Sequence, residues 1–216
     1  MGRLALFDLD GTLVDRRAAF TVCVTELCAT AGYSPEIEAW MLSELADRAR
    51  PEDFARMRDA FGLAEHAAQL WQTYVTAMAS AVSCRPEVLQ ALAELRDGGW
   101  TIGVVTNGAS DIQRAKLSAT GIADLIDGVA VSGDIEVRKP ARELFELAAK
   151  QCGTKLADGG WAVGDNPAAD IGGAHQAGLR SIWLRGRPWP TGLANPDHAV
   201  DDVLDAIAIL LTDSSE

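Results

Sequence analysis

The sequence predicts an α/β protein in which a doubly wound parallel sheet carries a small inserted α-helical unit. Short, continuously apolar runs alternate with amphipathic helical patterns along most of the chain. This alternation is typical of parallel strands that are covered by helices on both faces. It is interrupted in residues 15–81, where helical patterns occur without a convincing strand. Polar residues also follow several of the apolar runs, at the positions where parallel sheets bind ligands.

The first strand is predicted at Leu4–Phe7, because all of its residues are apolar and a strand buried on both faces has no polar side. Four later runs have the same character and lie at residues 101–105, 128–131, 161–163 and 181–184. Parallel neighbours must be joined by crossover connections, which are usually helices. The five runs and the helical patterns between them therefore predict one parallel sheet.

The helices between these strands are predicted from apolar stripes that are followed by glycines. In residues 86–97, Val88 and Leu92 share one helical face, Pro86 suits the first turn, and Gly98 stands beyond the end. Similar patterns, each followed by a glycine, lie at residues 111–120, 141–151 and 168–177.

The interrupting segment is predicted to be a small helical bundle. Apolar and aromatic side chains recur there at helical spacing, with Trp40 and Met41 in one pattern and Trp71 and Tyr74 in another. At this spacing the aromatic side chains are expected to form a core rather than to stack on a ligand. The predicted domains are an α/β core, residues 1–14 and 82–216, and a helical insert, residues 15–81.

Composition restricts the class of partner. The 216 residues include 19 Lys and Arg and 31 Asp and Glu, so the net charge is 19 − 31 = −12. Nucleic acids and anionic membranes are attracted by positive fields, and we therefore expect neither as a partner. The four cysteines lack zinc-site spacing, and no signal-like or membrane-spanning run is present, so free thiols and a cytoplasmic monomer or homodimer are expected.

Chemically active side chains are concentrated at the predicted strand ends. Because the carboxyl ends of parallel strands meet at one edge of the sheet, these side chains are expected to line one crevice. The oxygen-donor carboxylates Asp8, Asp10 and Asp165 favour a hard cation, with Mg²⁺ the best fit. A cation, a lysine and neutral donors together suit a phosphoryl group. The complete set is Asp8, Asp10, Thr106, Asn107, Lys139 and Asp165.

Taken singly, each of these residues is also compatible with an ordinary turn or helix cap. Their order along the chain, however, resembles the four motifs of the haloacid dehalogenase superfamily. The motifs are Asp8-Leu-Asp-Gly-Thr, Thr106, Lys139 before a helix, and Gly164-Asp-x-x-x-x-Asp170. The resemblance implies a core of that superfamily's fold, with the helical insert as a cap between the first motif and the second strand.

The resemblance also implies a role for each motif residue. Asp8 would be the nucleophile that forms an aspartyl-phosphate, and Asp10 would be the general acid and base. Mg²⁺ would bind the Asp8 carboxylate, the Asp10 backbone carbonyl and Asp165. Thr106 and Lys139 would hold phosphate oxygens. In addition, Asn107 would donate a hydrogen bond nearby, and Asp170 would orient Lys139 or metal-bound water.

These roles favour a hydrolase of phosphate esters that acts on a small phosphorylated metabolite. The superfamily's dehalogenases lack an acid two residues after the nucleophile, because a halide leaves without a proton whereas an alkoxide does not. Its phosphonate hydrolases carry a cap lysine, but residues 15–81 contain no Lys. A phosphomutase of the same fold stays open as an alternative, with a 2-haloacid dehalogenase or a non-catalytic binding protein as weaker ones.

Overall fold

The computed structural model describes residues 3–213, and its centre is a six-stranded sheet. Every neighbouring pair is parallel, and the spatial order is β3-β2-β1-β4-β5-β6, which confirms the predicted doubly wound fold. The sixth strand was not predicted, because it is three residues long and flanked by acidic residues. The strands are β1 Leu4–Phe7, β2 Thr101–Thr106, β3 Gly128–Val131, β4 Trp161–Gly164, β5 Arg180–Leu184 and β6 His198–Val200.

Both faces of the sheet are buried, which explains why its strands are apolar throughout. Leu4 and Leu6 of β1 contribute to one hydrophobic cluster, and Ala5 and Phe7 contribute to another on the opposite face. Successive side chains of a strand point to opposite faces, so a strand covered on both sides has no solvent-facing positions.

Helices connect the strands and cover the two faces. Pro86 occupies the first turn of its helix as predicted, and Gly121 and Gly178 follow their helices with positive φ angles. Within residues 3–213 the α-helices are α1 Arg16–Ala31, α2 Pro35–Glu44, α3 Pro51–Phe61, α4 Ala67–Ala81, α5 Pro86–Asp97, α6 Ser110–Ala119, α7 Ser132–Ile135, α8 Arg142–Gln151, α9 Gly172–Ala177 and α10 Val203–Thr212.

The helix expected at residues 168–177 differs from the prediction. Its first part, Pro167–Ile171, is a π-helical turn, and the α-helical part is the six-residue α9. Side chains account for the change, since Asn166 accepts hydrogen bonds from two backbone N–H groups of the turn, and Asp170 accepts one from the Asn166 N–H at 2.8 Å. Turns of this kind are frequent at functional sites.

Helices α1–α4 lie between β1 and β2 in the chain and share an aromatic core. The rings of Phe54 and Tyr74 have centroids 5.1 Å apart, and those of Phe54 and Trp71 are 5.5 Å apart. Tyr74 is fully buried and Trp71 nearly so. The Trp71 Nε1 also donates to Asp111 Oδ2 of α6 at 2.5 Å, so this four-helix segment is fastened to the α/β core.

Among residues 3–213, no helix combines the length and the apolar character that crossing a bilayer requires. The four cysteine thiols are free. Burial raises the pKa of the thiols of Cys28, Cys84 and Cys152 to about 11, which keeps them protonated near neutral pH.

Candidate active site

Three neighbouring strands bring the predicted residues to one edge of the sheet. Strand β1 lies between β2 and β4, so Asp8 after β1, Thr106 at the end of β2 and Asp165 after β4 are adjacent. The Asp8 backbone N–H donates to the Val163 carbonyl oxygen at 2.9 Å, which continues the strand pairing as far as Asp8. The residues expected to line one crevice are therefore brought together at the centre of the sheet.

Lys139 is buried between two carboxylates. Its Nζ lies 2.6 Å from Asp8 Oδ1, 2.7 Å from Asp170 Oδ1 and 2.7 Å from the Val105 carbonyl oxygen, and only 2% of its side chain is exposed. The contacts with Asp8 and with the Val105 carbonyl are hydrogen bonds, and the contact with Asp170 is an ion pair. These contacts place Lys139 directly against Asp8, and they make Asp170 the second carboxylate that shares the same cation.

One ammonium cannot neutralise two buried carboxylates. Burial raises the pKa of Asp8 from 3.8 to about 7; Lys139 opposes this, and the charge of Asp170 adds to it. The pKa of Lys139 is raised, because the two carboxylates outweigh the effect of its own burial. The site therefore carries surplus negative charge, which a further cation would compensate.

The remaining negative charge lies beside an oxygen-only donor set. One carboxylate oxygen from each of Asp8, Asp165 and Asp170 lies within 4.8 Å of the others. Gly11, at φ +88°, keeps the adjacent space open, since a Cβ there would fall 2.9 Å from Asp165 Oδ2. Hard oxygen ligands with room beside them suit Mg²⁺, so the residues present fit this ion. The Asp10 carboxylate lies outside the group, which leaves only its backbone carbonyl for the metal role suggested for it.

Asp10 belongs to a second polar cluster. Lys116 Nζ lies 2.8 and 2.7 Å from its two carboxylate oxygens, and Gln113 Nε2 donates to Asp10 Oδ2 at 3.1 Å. The same Gln113 Nε2 donates to Thr106 Oγ1 at 2.6 Å, which leaves the hydroxyl hydrogen of Thr106 free to donate to another group. Burial lowers the pKa of Lys116, and the charge of Asp10 opposes that effect.

Sequence reasoning missed both Gln113 and Lys116. They are almost completely buried, although they stand on α6 among residues that read as an ordinary amphipathic helix. The available signal was their spacing, because residues three apart on a helix share a face and here that face also carries Leu117. A lysine on the apolar face of a helix indicates a buried partner.

Asn107 contacts the backbone of the loop that carries Lys139. Its Oδ1 accepts the Lys139 backbone N–H at 2.9 Å, and its Nδ2 donates to the Lys139 carbonyl oxygen at 3.3 Å. The side chain thus holds the backbone of the loop that carries Lys139. The Nδ2 group has a second hydrogen, so the substrate-binding role expected of Asn107 stays a prediction.

The fourth motif depends on a close backbone approach. Gly164 ends β4, and a Cβ at this position would lie 2.3 Å from Asp170 Cγ. The carboxylate of Asp170 can therefore fold back over the strand and reach Lys139 only because residue 164 has no side chain. Burial raises the pKa of Asp165, one residue later. Arg187, whose Nε lies 2.7 Å from Asp165 Oδ2, opposes this shift.

Arg187 is a site neighbour that the sequence did not indicate. It lies in the loop after β5, and its side chain is half exposed while its Nε reaches Asp165 Oδ2. The Trp183 Nε1 donates to the Asp165 carbonyl oxygen at 3.1 Å and fixes the backbone of the same residue. Asp165 is therefore positioned from the β5 side of the crevice.

The helical segment contributes Arg16, Arg48 and Arg50 to this part of the protein, and the α/β core contributes Arg138. Arg16 donates to the carbonyl oxygens of Ala46 and Leu45 and so braces the loop between α2 and α3. Burial, followed by the positive charges of Arg48 and Arg50 in that loop, lowers the pKa of Arg138. Two arginines of the helical segment thus influence Arg138, the residue immediately before Lys139.

Two curated relatives are similar to about half of the chain. The curated relatives include a phosphoserine phosphatase of Thermus thermophilus, 38% identical over 119 residues that cover 55% of this chain and 47% of the relative. They also include a pyrimidine 5'-nucleotidase of Escherichia coli, 34% identical over 128 residues that cover 58% of this chain and 56% of the relative. The chain thus spans about half the length of these two relatives.

A solved structure extends the similarity over nearly the whole chain. The crystal structure of a phosphatase from Thermococcus onnurineus superposes with a TM-score of 0.68 at 26% identity, and the match covers 97% of this chain and 98% of that one. The family model for haloacid dehalogenase-like hydrolases matches residues 5–184, which include all four motifs. The chain therefore belongs to the haloacid dehalogenase-like hydrolases.

Proposed function

We propose that the protein is a Mg²⁺-dependent phosphatase that hydrolyses a small phosphorylated metabolite through an aspartyl-phosphate on Asp8. The observation that carries the proposal is the pairing of two differently held carboxylates two residues apart. Asp8 is buried against Lys139 in the carboxylate cluster, whereas Asp10 is held by Lys116 outside that cluster. Two carboxylates in different environments suit a nucleophile and a proton carrier.

In the first step an Asp8 carboxylate oxygen attacks phosphorus and forms the new P–O bond. The ester P–O bond breaks, its electron pair moves to the leaving oxygen, and that oxygen takes the proton of Asp10. The products are the free alcohol and the phosphorylated Asp8. Lys139 holds Asp8 at 2.6 Å, which restrains the nucleophile before the attack.

In the second step a water molecule attacks the same phosphorus and gives one proton to the Asp10 carboxylate. The P–O bond to Asp8 breaks, and its electron pair restores the carboxylate. Inorganic phosphate leaves and Asp10 is protonated again, so one water is consumed for each ester cleaved. Splitting the hydrolysis into two displacements lowers the barrier that each one presents.

Charge neutralisation is the remaining requirement. Mg²⁺, when bound by the Asp8 and Asp165 carboxylates and the Asp10 carbonyl, supplies positive charge that lets an anionic nucleophile approach an anionic ester. Thr106, whose hydroxyl hydrogen is free, and Lys139 provide donors for phosphate oxygens. Asp170 orients Lys139, and Asn107 fixes the backbone around it.

Helices α1–α4 are proposed as a cap over this crevice, with residues 15–81 as the cap and residues 1–14 and 82–216 as the core. The cap is fastened to α6 through Trp71 and Asp111, next to the residues that hold Asp10. A lid of this kind excludes water and supplies contacts to a small diffusible substrate.

The test is phosphate release from an aryl phosphate and from a panel of metabolites, with Mg²⁺ and with EDTA. Turnover that requires Mg²⁺ and disappears in Asp8→Asn is expected, while Asp201→Asn, at an exposed position, keeps full activity. No turnover on any ester would contradict the proposal. An isomerised sugar phosphate without free phosphate would identify a mutase, and halide release from a 2-halo acid would identify a dehalogenase.

A further inference from the structure

Lys116 is a buried lysine whose ammonium group forms an ion pair with one carboxylate, that of Asp10. Only 2% of its side chain is exposed, and its Nζ contacts both oxygens of Asp10 at 2.8 and 2.7 Å. The other buried lysine of the site, Lys139, contacts Asp8 and Asp170 instead. The two proposed catalytic aspartates are thus held by separate cations.

The two contacts remove the rotational freedom of the Asp10 carboxylate. A carboxylate that accepts through one oxygen can still turn, but one whose two oxygens face the same ammonium cannot turn without breaking a contact. Gln113 adds a third hydrogen bond to Oδ2 at 3.1 Å. The Asp10 backbone pairs with Val14 in an isolated bridge, and Lys116 and Gln113 add the contacts that fix the carboxylate beyond it.

One helix also sets Asp10 relative to Thr106. Gln113 and Lys116 are three residues apart on α6 and therefore project from the same face. The Gln113 side chain bridges Asp10 and the Thr106 hydroxyl, with Nε2 distances of 3.1 and 2.6 Å. The proton carrier and the proposed phosphate donor are consequently held at a fixed separation by one rigid element.

Stability alone does not explain a lysine at this position. Removing an ammonium group from water is costly, and an apolar side chain of similar size is often as stabilising as a buried ion pair. Position 116 faces the interior beside Leu117, where leucine or methionine would satisfy a helix equally well. What an apolar residue cannot do is hold the two oxygens of Asp10.

We propose that Lys116, assisted by Gln113, is a positioning residue that orients the Asp10 carboxylate for both proton transfers. The proposal rests on the phosphatase activity proposed above. Lys116 acts through Asp10, so its removal should affect only the steps that need a proton carrier. General acid–base catalysis contributes roughly 10²–10⁴-fold, which sets the scale of the expected loss.

The experiment compares two aryl phosphates in wild type, Lys116→Met and a control. Phenyl phosphate has a poor leaving group that needs a proton, whereas dinitrophenyl phosphate has a leaving group that does not. In Lys116→Met, kcat/KM for phenyl phosphate should fall about 10²-fold. The first burst of dinitrophenolate should stay near the wild-type rate, while the later turnovers, which need a base to activate water, slow markedly.

Arg114→Met is the matched control. Arg114 stands on the same helix and forms an ion pair with Asp134 at 2.8 Å, but half of its side chain is exposed. The same type of substitution there should leave both substrates within about twofold of wild type, as expected for a surface ion pair.

A double variant covers the case in which Lys116→Met does not fold. Asp10→Asn combined with Lys116→Met removes both charges of the pair, which avoids an unpaired buried carboxylate. If Lys116 acts through Asp10, this double variant should match Asp10→Asn within about twofold in kcat/KM for phenyl phosphate, the reaction that needs the proton carrier.

The proposal would be overturned if a folded Lys116→Met protein lost as much in the rate of the dinitrophenolate burst as in kcat/KM for phenyl phosphate. Unchanged kcat/KM for phenyl phosphate would overturn it too. A large additional loss in the double variant would overturn it as well. Failure of the wild type to release phosphate from either ester would instead remove the proposed function, and this inference with it.

Discussion

Asp8→Asn should stabilise the metal-free protein at about pH 8, although it removes the proposed nucleophile. Asp8 is only 8% exposed, and burial is the largest cause that raises its pKa from 3.8 to about 7. A carboxyl whose pKa is raised by folding contributes stability that is complete below its unfolded pKa. That contribution is lost as the pH rises through the folded pKa, so wild-type stability should fall between about pH 4 and pH 7.

The magnitude follows from two opposing effects. The shift of 7 − 3.8 = 3.2 pH units corresponds to about 4 kcal/mol of unfavourable free energy for the ionised carboxylate. The attraction of Lys139 for the ionised carboxylate, which asparagine lacks, is already contained in this shift. Asp8→Asn should therefore gain a few kcal/mol at most at about pH 8, and less at about pH 5, where the folded protein binds a proton at Asp8.

Urea unfolding in EDTA at both pH values measures this difference. Asp201→Asn is the control, because the Asp201 side chain is 80% exposed and its substitution should change stability by less than about 0.5 kcal/mol. Added Mg²⁺ should stabilise the wild type more than Asp8→Asn, since it binds only the folded carboxylate cluster. An Asp8→Asn protein that is less stable than the wild type at about pH 8 without metal would refute the surplus of negative charge inferred for this site.

Three further predictions test other groups around the crevice. Lys139→Met should lower the free energy of unfolding by about 3–5 kcal/mol, measured with urea, because it leaves Asp8 and Asp170 without their shared cation; a loss below about 1 kcal/mol would contradict the burial of this ion pair. Arg187→Ala should tighten Mg²⁺ binding in calorimetric titration, because the guanidinium competes for Asp165, and weaker binding would show that Arg187 supports the site instead. Arg138→Ala should raise KM about tenfold for phosphate esters that carry a second anionic group, which corresponds to a loss of about 1.4 kcal/mol of binding free energy. An equal rise in KM for esters without that group would exclude a specific contact between Arg138 and the second anion.

The fold was predictable because its strongest signals are local and repeated. A strand such as Leu4–Phe7 is buried on both faces and therefore has an unmistakable apolar composition. By contrast, β6 is short and polar at its ends, so only its neighbour β5 defines it as a strand. The turn at Pro167–Ile171 was not predicted either, because its shape depends on hydrogen bonds from backbone N–H groups to the side chains of Asn166 and Asp170.

The site could be predicted only in part, for a related reason. Residues that follow strands, such as Asp8 and Asp165, are adjacent in space because the topology makes them so. Lys116 reaches Asp10 across 106 positions of sequence, and no local pattern encodes that contact. Arg187 lies in a loop, where the spacing of apolar residues does not show which way a side chain points.

Helix α6 contacts the helical segment with one side and the loop that carries Asp10 with another, and both contacts restrict how the helix can be redesigned. One side accepts the indole of Trp71 through Asp111, and the other presents Gln113 and Lys116 to the acidic loop. A mutation that tilts this helix to admit a larger molecule would displace Asp10, the proposed general acid, by the same motion. In the proposed phosphatase, the range of substrates and the rate of hydrolysis would thus be linked through one helix.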